Sequence, residues 1–324
     1  MVGAIVRNGN SGLGNLSWDF FRHGVIEKCL IIPERTGEPE FPERFGDNIR
    51  IAGQFPFTDA DIDWLLDGID QLVCFETSYK PDVYKKAKDR GVKTFLMPMH
   101  EANNYFHGVN PDVWLCPSDL EYEMEVRSGE KVRINVPVDM KKLNYRKRDK
   151  AQVFVHNSGH GGIGGRNGTA ELIKSLEYVD SPIELILRSQ SVRHIVDDPR
   201  VDFRFENVKN YWDLYEEGDV FILPDKFAGL SMPLQEAFAS GMAIITTNRN
   251  PLNKWLPKEM LIEVENMGNW GNVDMTLVQP EEIATTIDSW YDKDISKYSE
   301  LGKKWGTENS WEVLGPKYKQ IIEG

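Results

Sequence analysis

The sequence predicts an α/β protein of two domains, each a parallel sheet with helices on both faces. Three observations carry that expectation. Short apolar runs such as residues 72–75 and 220–223 recur along the chain, at the length of strands buried on both faces. Segments with helical apolar spacing alternate with them. The alternation restarts after residue 150, and a glycine-rich loop follows the first strand of each half.

The elements follow in order. Residues 3–7 form an apolar strand, and 8–14 (Asn-Gly-Asn-Ser-Gly-Leu-Gly) a glycine-rich loop. Helical spacing covers 15–23, with Gly24 suited to the position just past the helix. A strand at 29–32 precedes a stretch rich in proline, glycine and charge, 33–50, expected as loop. Thr58 provides a polar cap for a helix over 58–67. Strands at 72–75, 92–97 and 113–116 alternate with helices at 81–90 and from Ser118 onward. Residues 133–150 break this rhythm and read as a linker. The second series opens with a strand at 153–155, a glycine-rich run at 159–168 and a helix at 169–178. Strands at 183–187 and 201–205 and a helical turn at 212–217 follow. The last element, 308–324, is an amphipathic helix with Trp311, Leu314, Tyr318 and Ile321 on one face, interrupted or kinked at Gly315-Pro316.

Composition narrows the function classes. The 324 residues suffice for two domains of ordinary size, and mean hydropathy of −0.45 suits a water-facing globular protein. A net charge of −13 repels polyanions at long range and argues against a protein that wraps nucleic acid. Lys141, Lys142, Arg146, Lys147, Arg148 and Lys150 form the one basic cluster, expected as a solvated linker face; an anionic-acceptor or membrane-surface role is the alternative. No apolar run is long enough to span a bilayer, and no basic segment leads into an apolar one at the N-terminus. Cys29, Cys74 and Cys116 contain no C-x-x-C pair and are expected as reduced, buried thiols, so a cytoplasmic location is expected. Asp59-Ala-Asp-Ile-Asp63 lacks the glycine and distal glutamate of a calcium loop and reads as an acid-rich helix start. No metal site is expected.

The stretch 219–247 holds the most chemistry. A strand at 220–223 runs through a turn with Gly229 into a helix near Pro233, then a strand. Such a helix start aims backbone N–H groups and a positive dipole end at the turn, which makes an anion site. Glu236 in the first turn is placed to accept hydrogen bonds from a ribose diol; a plain strand–helix unit with a dipole-compensating glutamate is the alternative. The glycines of 159–168 allow close approach of backbone to ligand, against the alternative of a flexible surface loop. His100 ends a strand at the carboxyl edge of the first sheet, where ligands sit in open α/β folds. Trp255 and Trp270 read as core or interface residues rather than sugar-stacking platforms.

The ordered set of motifs resembles the family 4 retaining glycosyltransferases. Ser11-Gly-Leu-Gly14 is similar to the family's N-terminal glycine loop, and Phe95-Leu-Met-Pro-Met-His-Glu101 to the strand ending in its histidine. Val113-Trp-Leu-Cys-Pro-Ser118, Asn135-Val-Pro-Val-Asp139, the donor segment 219–241 and Ser310-Trp-Glu312 follow in family order across nearly the whole chain. The resemblance implies a GT-B fold: two Rossmann-like domains, 1–145 and 146–307, facing across a cleft, with helix 308–324 crossing back to the first. It implies a metal-independent hexosyltransferase acting on a nucleotide diphosphate sugar, a UDP-sugar in the first instance, with no other cofactor and an acceptor left open. The donor would meet Asn157, Gly159, Arg166, Asn207, Gly229, Leu230, Ser231 and Glu236; the acceptor would meet Gly12, Leu13 and Gly14; His100 would face the sugar beside Arg166 and Glu236. Two departures stand out. Ala228 occupies the position of the family's first donor-segment glutamate, and the first of its two phosphate-binding cations has no match unless His156, Asn157 or His160 substitutes. A binding module without turnover, or a nucleotide-sugar epimerase of the same fold, therefore stands as an alternative.

Overall fold

The computed structural model describes residues 1–33, 41–80, 82–100, 110–125, 128–160, 165–205, 208–270 and 273–324. They form two compact units: Met1–Val136 together with Trp311–Gly324, and Pro137–Ser310.

The first unit holds a sheet of seven strands: β1 (Val2–Val6), β2 (Lys28–Ile31), β3 (Ile49–Ile51), β4 (Gln71–Glu76), β5 (Lys93–Pro98), β6 (Val113–Cys116) and β7 (Glu130–Arg133). Their order is β3-β2-β1-β4-β5-β6-β7 and every pairing is parallel. Every residue of β1 and β6 is buried, as expected for strands covered on both faces. The helices are α1 (Gly12–Arg22), α2 (Asp59–Leu66), α3 (Val83–Asp89) and α4 (Asp119–Glu123). The acid-rich segment does open α2: the side chains of Thr58 and Asp61 cap the helix reciprocally.

The second unit repeats the plan with β8 (Val153–Asn157), β9 (Glu184–Ser189), β10 (Val201–Phe205), β11 (Val220–Leu223), β12 (Ala243–Thr247) and β13 (Leu261–Ile262). These run parallel in the order β10-β9-β8-β11-β12-β13. An antiparallel hairpin, β14 (Glu265–Trp270) and β15 (Val273–Leu277), stands outside the sheet. The helices are α5 (Thr169–Ser175), α6 (Met232–Ala239), α7 (Pro280–Trp290) and α8 (Ser296–Glu308). Strand order reverses at β1/β4 and at β8/β11, and the carboxyl ends of strands at such a reversal are where open α/β sheets bind ligands.

The final helix, α9 (Trp311–Glu323), belongs to the first unit. Phe20 of α1 meets Trp311 and Tyr318 edge-on at 5.2 and 4.9 Å. Ile322 rather than Ile321 completes the buried face, because it lies one full turn beyond Tyr318. Pro316 lies inside the helix rather than ending it.

The units divide in sequence at Val136–Pro137 and Ser310–Trp311. The basic cluster is not simply a solvated face. Arg148 is buried, and its guanidinium donates to the carbonyls of Gly218 (3.0 Å), Arg146 (2.8 Å), Tyr215 (2.9 Å) and Ser240. That burial lowers its pKa to about 10. Lys142 lies 4.0 Å over the Trp212 ring. The supposed linker is thus stitched into the second unit.

Candidate functional site

The loop between β11 and α6 is fixed by a buried ion pair. Asp225, just past β11, accepts from the Nε of Arg249 at 3.1 Å and from the Thr247 hydroxyl at 3.0 Å. Both partners of the Arg249–Asp225 pair are almost wholly buried. Arg249 spends its Nη1 on the carbonyl of Ala228 at 2.6 Å. The backbone at Ala228 is therefore held by an arginine. Asp225 and Arg249 escaped the sequence reading; the one signal was an acid and a base placed just beyond the ends of two neighbouring apolar strands.

The loop delivers a helix start with unused donors. Ser231 adopts a left-handed conformation (φ 52), and α6 begins at Met232, with Pro233 in its first turn. A left-handed non-glycine residue stores strain of about 1–3 kcal/mol. Among the described residues, no acceptor takes the backbone N–H of Gly229, Leu230, Ser231 or Met232. Glu236 falls in the second turn, not the first, because the helix begins one residue earlier than Pro233. Its carboxylate is buried, and Oε2 accepts from the hydroxyls of Tyr211 and Tyr215, each at 2.6 Å. Desolvation, then the neighbouring carboxylate, pushes the Tyr215 phenol well above its ordinary pKa, so it stays a donor.

The β8–α5 loop is sewn to the same edge. The carbonyl of Arg166 accepts from the Lys226 N–H at 2.6 Å, and Asn167 donates to the Ser158 carbonyl at 2.7 Å. Gly168 has φ 66, and a Cβ there would lie 2.0 Å from the carbonyl oxygen of Pro224. Only glycine permits that approach. Gly159 also takes a positive φ, and its carbonyl accepts from Gln190 N–H at 2.9 Å. The amide nitrogen and oxygen of Asn157 and the hydroxyl of Ser158 are buried without a hydrogen-bond partner among the described residues. Unsatisfied buried polar atoms are rare and mark a place where a partner is missing. Thus Asn157, Ser158, Arg166 and Gly229–Leu230–Ser231 gather at one sheet edge. Asn207 lies outside the described residues.

His156 does not serve as the missing cation. Its Nδ1 lies 2.8 Å from the Ile222 carbonyl and its Nε2 2.9 Å from the Thr169 hydroxyl. Complete burial lowers its pKa to about 4, so the ring is neutral and braces β8 against β11 and α5. His160 is exposed.

In the first unit, Gly12, Leu13 and Gly14 are the first turn of α1 rather than a loop. Ser11 is the cap and accepts from Gly14 N–H at 3.1 Å. A Cβ on Gly14 would fall 2.1 Å from the Gly9 carbonyl oxygen, so no larger residue fits at this point of the helix start. His100 lies just beyond β5, buried, its N–H donating to Oε1 of Glu121 at 3.2 Å. Glu121 is itself fully buried and takes the Ser118 hydroxyl on its other oxygen. Trp255 stacks on Trp305 at 5.0 Å within the second unit's own packing. The three cysteines are unbonded and buried, and desolvation raises the Cys74 and Cys116 thiols to about 12. Among the described residues, no group of three or more His, Cys, Asp or Glu could hold a metal ion, and no helix is long and apolar enough to cross a membrane.

Comparison with solved structures decides the architecture. HepE of Anabaena, solved with UDP and glucose, superposes with a TM-score of 0.69 at 11% identity, covering 99% of this chain and 98% of that one. The chain has the GT-B fold. Sucrose-phosphate synthase from Thermosynechococcus elongatus gives 0.67 at 12% identity over 99% of each chain. The lipopolysaccharide outer core galactosyltransferase WaaB gives 0.63 at 14% identity over 100% and 98%. No family model and no curated protein matches the sequence. At these identities the likeness establishes the fold.

Proposed function

We propose that the chain is a retaining glycosyltransferase of family 4 type that moves a sugar from a nucleoside diphosphate to an acceptor without a metal. The observation that carries this reading is the edge of the second sheet. Four unused backbone N–H groups at the start of α6 and two unpartnered polar side chains, Asn157 and Ser158, belong to the segments at the carboxyl ends of the adjacent strands β11 and β8, and Arg166 lies in the loop that follows β8. Donors with no acceptor among the described residues suit a diphosphate. Glu236, held by two tyrosines, would accept from a ribose diol. UDP is the first base to test, because HepE of the same fold was solved with UDP and with UDP-glucose.

In the reaction the bond between the anomeric carbon and the diphosphate breaks, its electron pair leaving on the diphosphate. The acceptor oxygen bonds to the anomeric carbon, and its proton passes to the diphosphate. The helix start and Arg166 stabilise the charge that develops on the leaving group. Residues 146–307 are the proposed core of the donor domain. The resemblance assigns His100 to the transferred sugar.

The test is incubation with UDP-, GDP- and ADP-sugars and an acceptor panel, with and without EDTA, followed by NMR of the product's anomeric configuration. EDTA-insensitive transfer with retention supports the proposal; inversion, or a metal requirement, overturns it. Ala228 favours one second reading, a nucleotide-sugar binder without turnover. Binding without transfer or hydrolysis across the panel selects that reading. Conversion of the sugar without acceptor selects an epimerase.

A further inference from the structure

The first unit carries a chemical cluster of its own, built around Tyr79. Arg7 follows β1, Glu76 ends β4, and Tyr79 stands three residues further on, so all three belong to segments leaving the β1/β4 reversal. The Tyr79 hydroxyl donates to Oε2 of Glu76 at 3.0 Å. The half-buried Arg7 guanidinium lies 5.4 Å from the centre of the Tyr79 ring, and its Nη1 donates to the Pro33 carbonyl at 2.6 Å. Phe55, in the loop after β3, meets the same ring edge-on at 6.3 Å.

The backbone that presents this cluster is strained at two points. Thr77 N–H donates to the Phe75 carbonyl at 2.8 Å across Glu76, whose φ is 67. Lys80 N–H donates to the Ser78 carbonyl at 2.7 Å across Tyr79, whose φ is 59. A hydrogen bond spanning one left-handed residue is a rare and strained turn, and bulky side chains seldom sit at its centre. Here the two central residues are the two whose side chains bond each other. Strain of this kind gathers at ligand sites, where a side chain must be held in one direction.

The chemistry of the cluster selects among ligands. One guanidinium and one carboxylate cancel in charge, and Lys80 next to them pairs with Asp59 at 2.5 Å. Burial, then the Glu76 charge, holds the Tyr79 phenol well above its ordinary pKa, so it stays a neutral donor. Anions and cations gain little where opposite charges cancel. Donors and acceptors side by side suit hydroxyl groups, each of which gives one hydrogen bond and takes others. Beside them Phe55 is 54% exposed and Ile51, at the end of β3, is 51% exposed, which leaves an apolar surface open at the same edge. A neutral molecule with hydroxyls on its rim and C–H groups on its face is a sugar ring. We propose that Arg7, Glu76, Tyr79 and Phe55 form a saccharide subsite, with the C–H face of the sugar on Phe55 and its hydroxyls shared between Glu76 and Arg7. The subsite stands on this geometry; its use for the acceptor rests on the transferase reading.

The experiment is saturation-transfer NMR on the full chain with the methyl glycosides of glucose, galactose, mannose and N-acetylglucosamine, and with p-nitrophenol as an aromatic that carries no sugar. Calorimetry with UDP runs alongside. Wild type is compared with Phe55→Ala, Phe55→Tyr and Glu76→Gln, each checked by thermal unfolding; should Glu76→Gln fail to fold, the exposed Phe55 pair decides alone. Binding of at least one glycoside, weakened about fivefold or more by Phe55→Ala and by Glu76→Gln, kept by Phe55→Tyr, and accompanied by unchanged UDP affinity, supports an acceptor-side saccharide subsite. The same pattern with no UDP binding in any variant upholds the saccharide subsite while the transferase reading fails. The proposal is overturned if no glycoside binds, if p-nitrophenol binds in their place, if either substitution leaves glycoside binding unchanged, or if UDP affinity falls in step with it.

Discussion

Acidifying the protein should weaken the second unit through His156, by an amount the structure fixes. The ordinary imidazole pKa of 6.5 falls to about 4 in the folded chain, chiefly because burial penalises the charged ring. Between those values the unfolded chain holds a proton that the folded chain refuses. Stability from this residue is therefore fully present above 6.5 and is lost as pH falls toward 4. At about 1.4 kcal/mol per pKa unit the whole window is worth about 3 kcal/mol, and about 2 kcal/mol of it disappears between pH 7 and pH 5. Urea unfolding at both pH values measures the total, and His156→Gln isolates the residue, since its loss over the same interval should be smaller by that amount. Because His156 braces the strand that leads to Asn157, nucleotide affinity should weaken in parallel. An imidazole NMR titration near 6.5, or equal losses in wild type and variant, would refute the reasoning.

Further outcomes follow from the same site. Gly168→Ala places a methyl against the Pro224 carbonyl at a left-handed position and should destabilise by roughly 1–3 kcal/mol, read by thermal unfolding, with loss of nucleotide binding. Arg249→Met strands Asp225 as a buried charge and should cost about 3–5 kcal/mol, whereas Asp225→Asn with Arg249→Met should recover part of it; equal losses would deny the pairing. Tyr215→Phe removes one of two hydroxyls from Glu236 and should raise the nucleotide Kd several-fold, with His100→Ala lowering kcat rather than donor affinity.

How much of this was legible in sequence depended on the physics behind each residue. Strands buried on both faces write themselves as apolar runs, so β4, β6 and β11 could be read directly. The antiparallel hairpin could not, because Glu265–Trp270 is polar and exposed through most of its length and carries no strand alternation. Gly12–Gly14 looked like loop because glycine is a poor helix former, yet Ser11 caps a helix there and the close approach of Gly14 to Gly9 leaves room for glycine alone. Arg148 could not be read for a related reason: a run of lysines and arginines looks solvated, yet Arg148 is buried against four carbonyls. Arg166, Glu236 and the 229–231 turn belong to a local motif, so sequence alone could single them out as candidates. Asp225 and Arg249 act through tertiary partners, which one-dimensional pattern does not encode.

The most direct measurement is calorimetric titration of the full chain with UDP, GDP and ADP, with and without EDTA, on wild type, Arg166→Ala and Glu236→Ala. The account predicts micromolar binding of one nucleotide, indifferent to EDTA and lost in both variants. Failure to bind any of the three, or binding untouched by both substitutions, would contradict a nucleotide-sugar site at the β8/β11 edge.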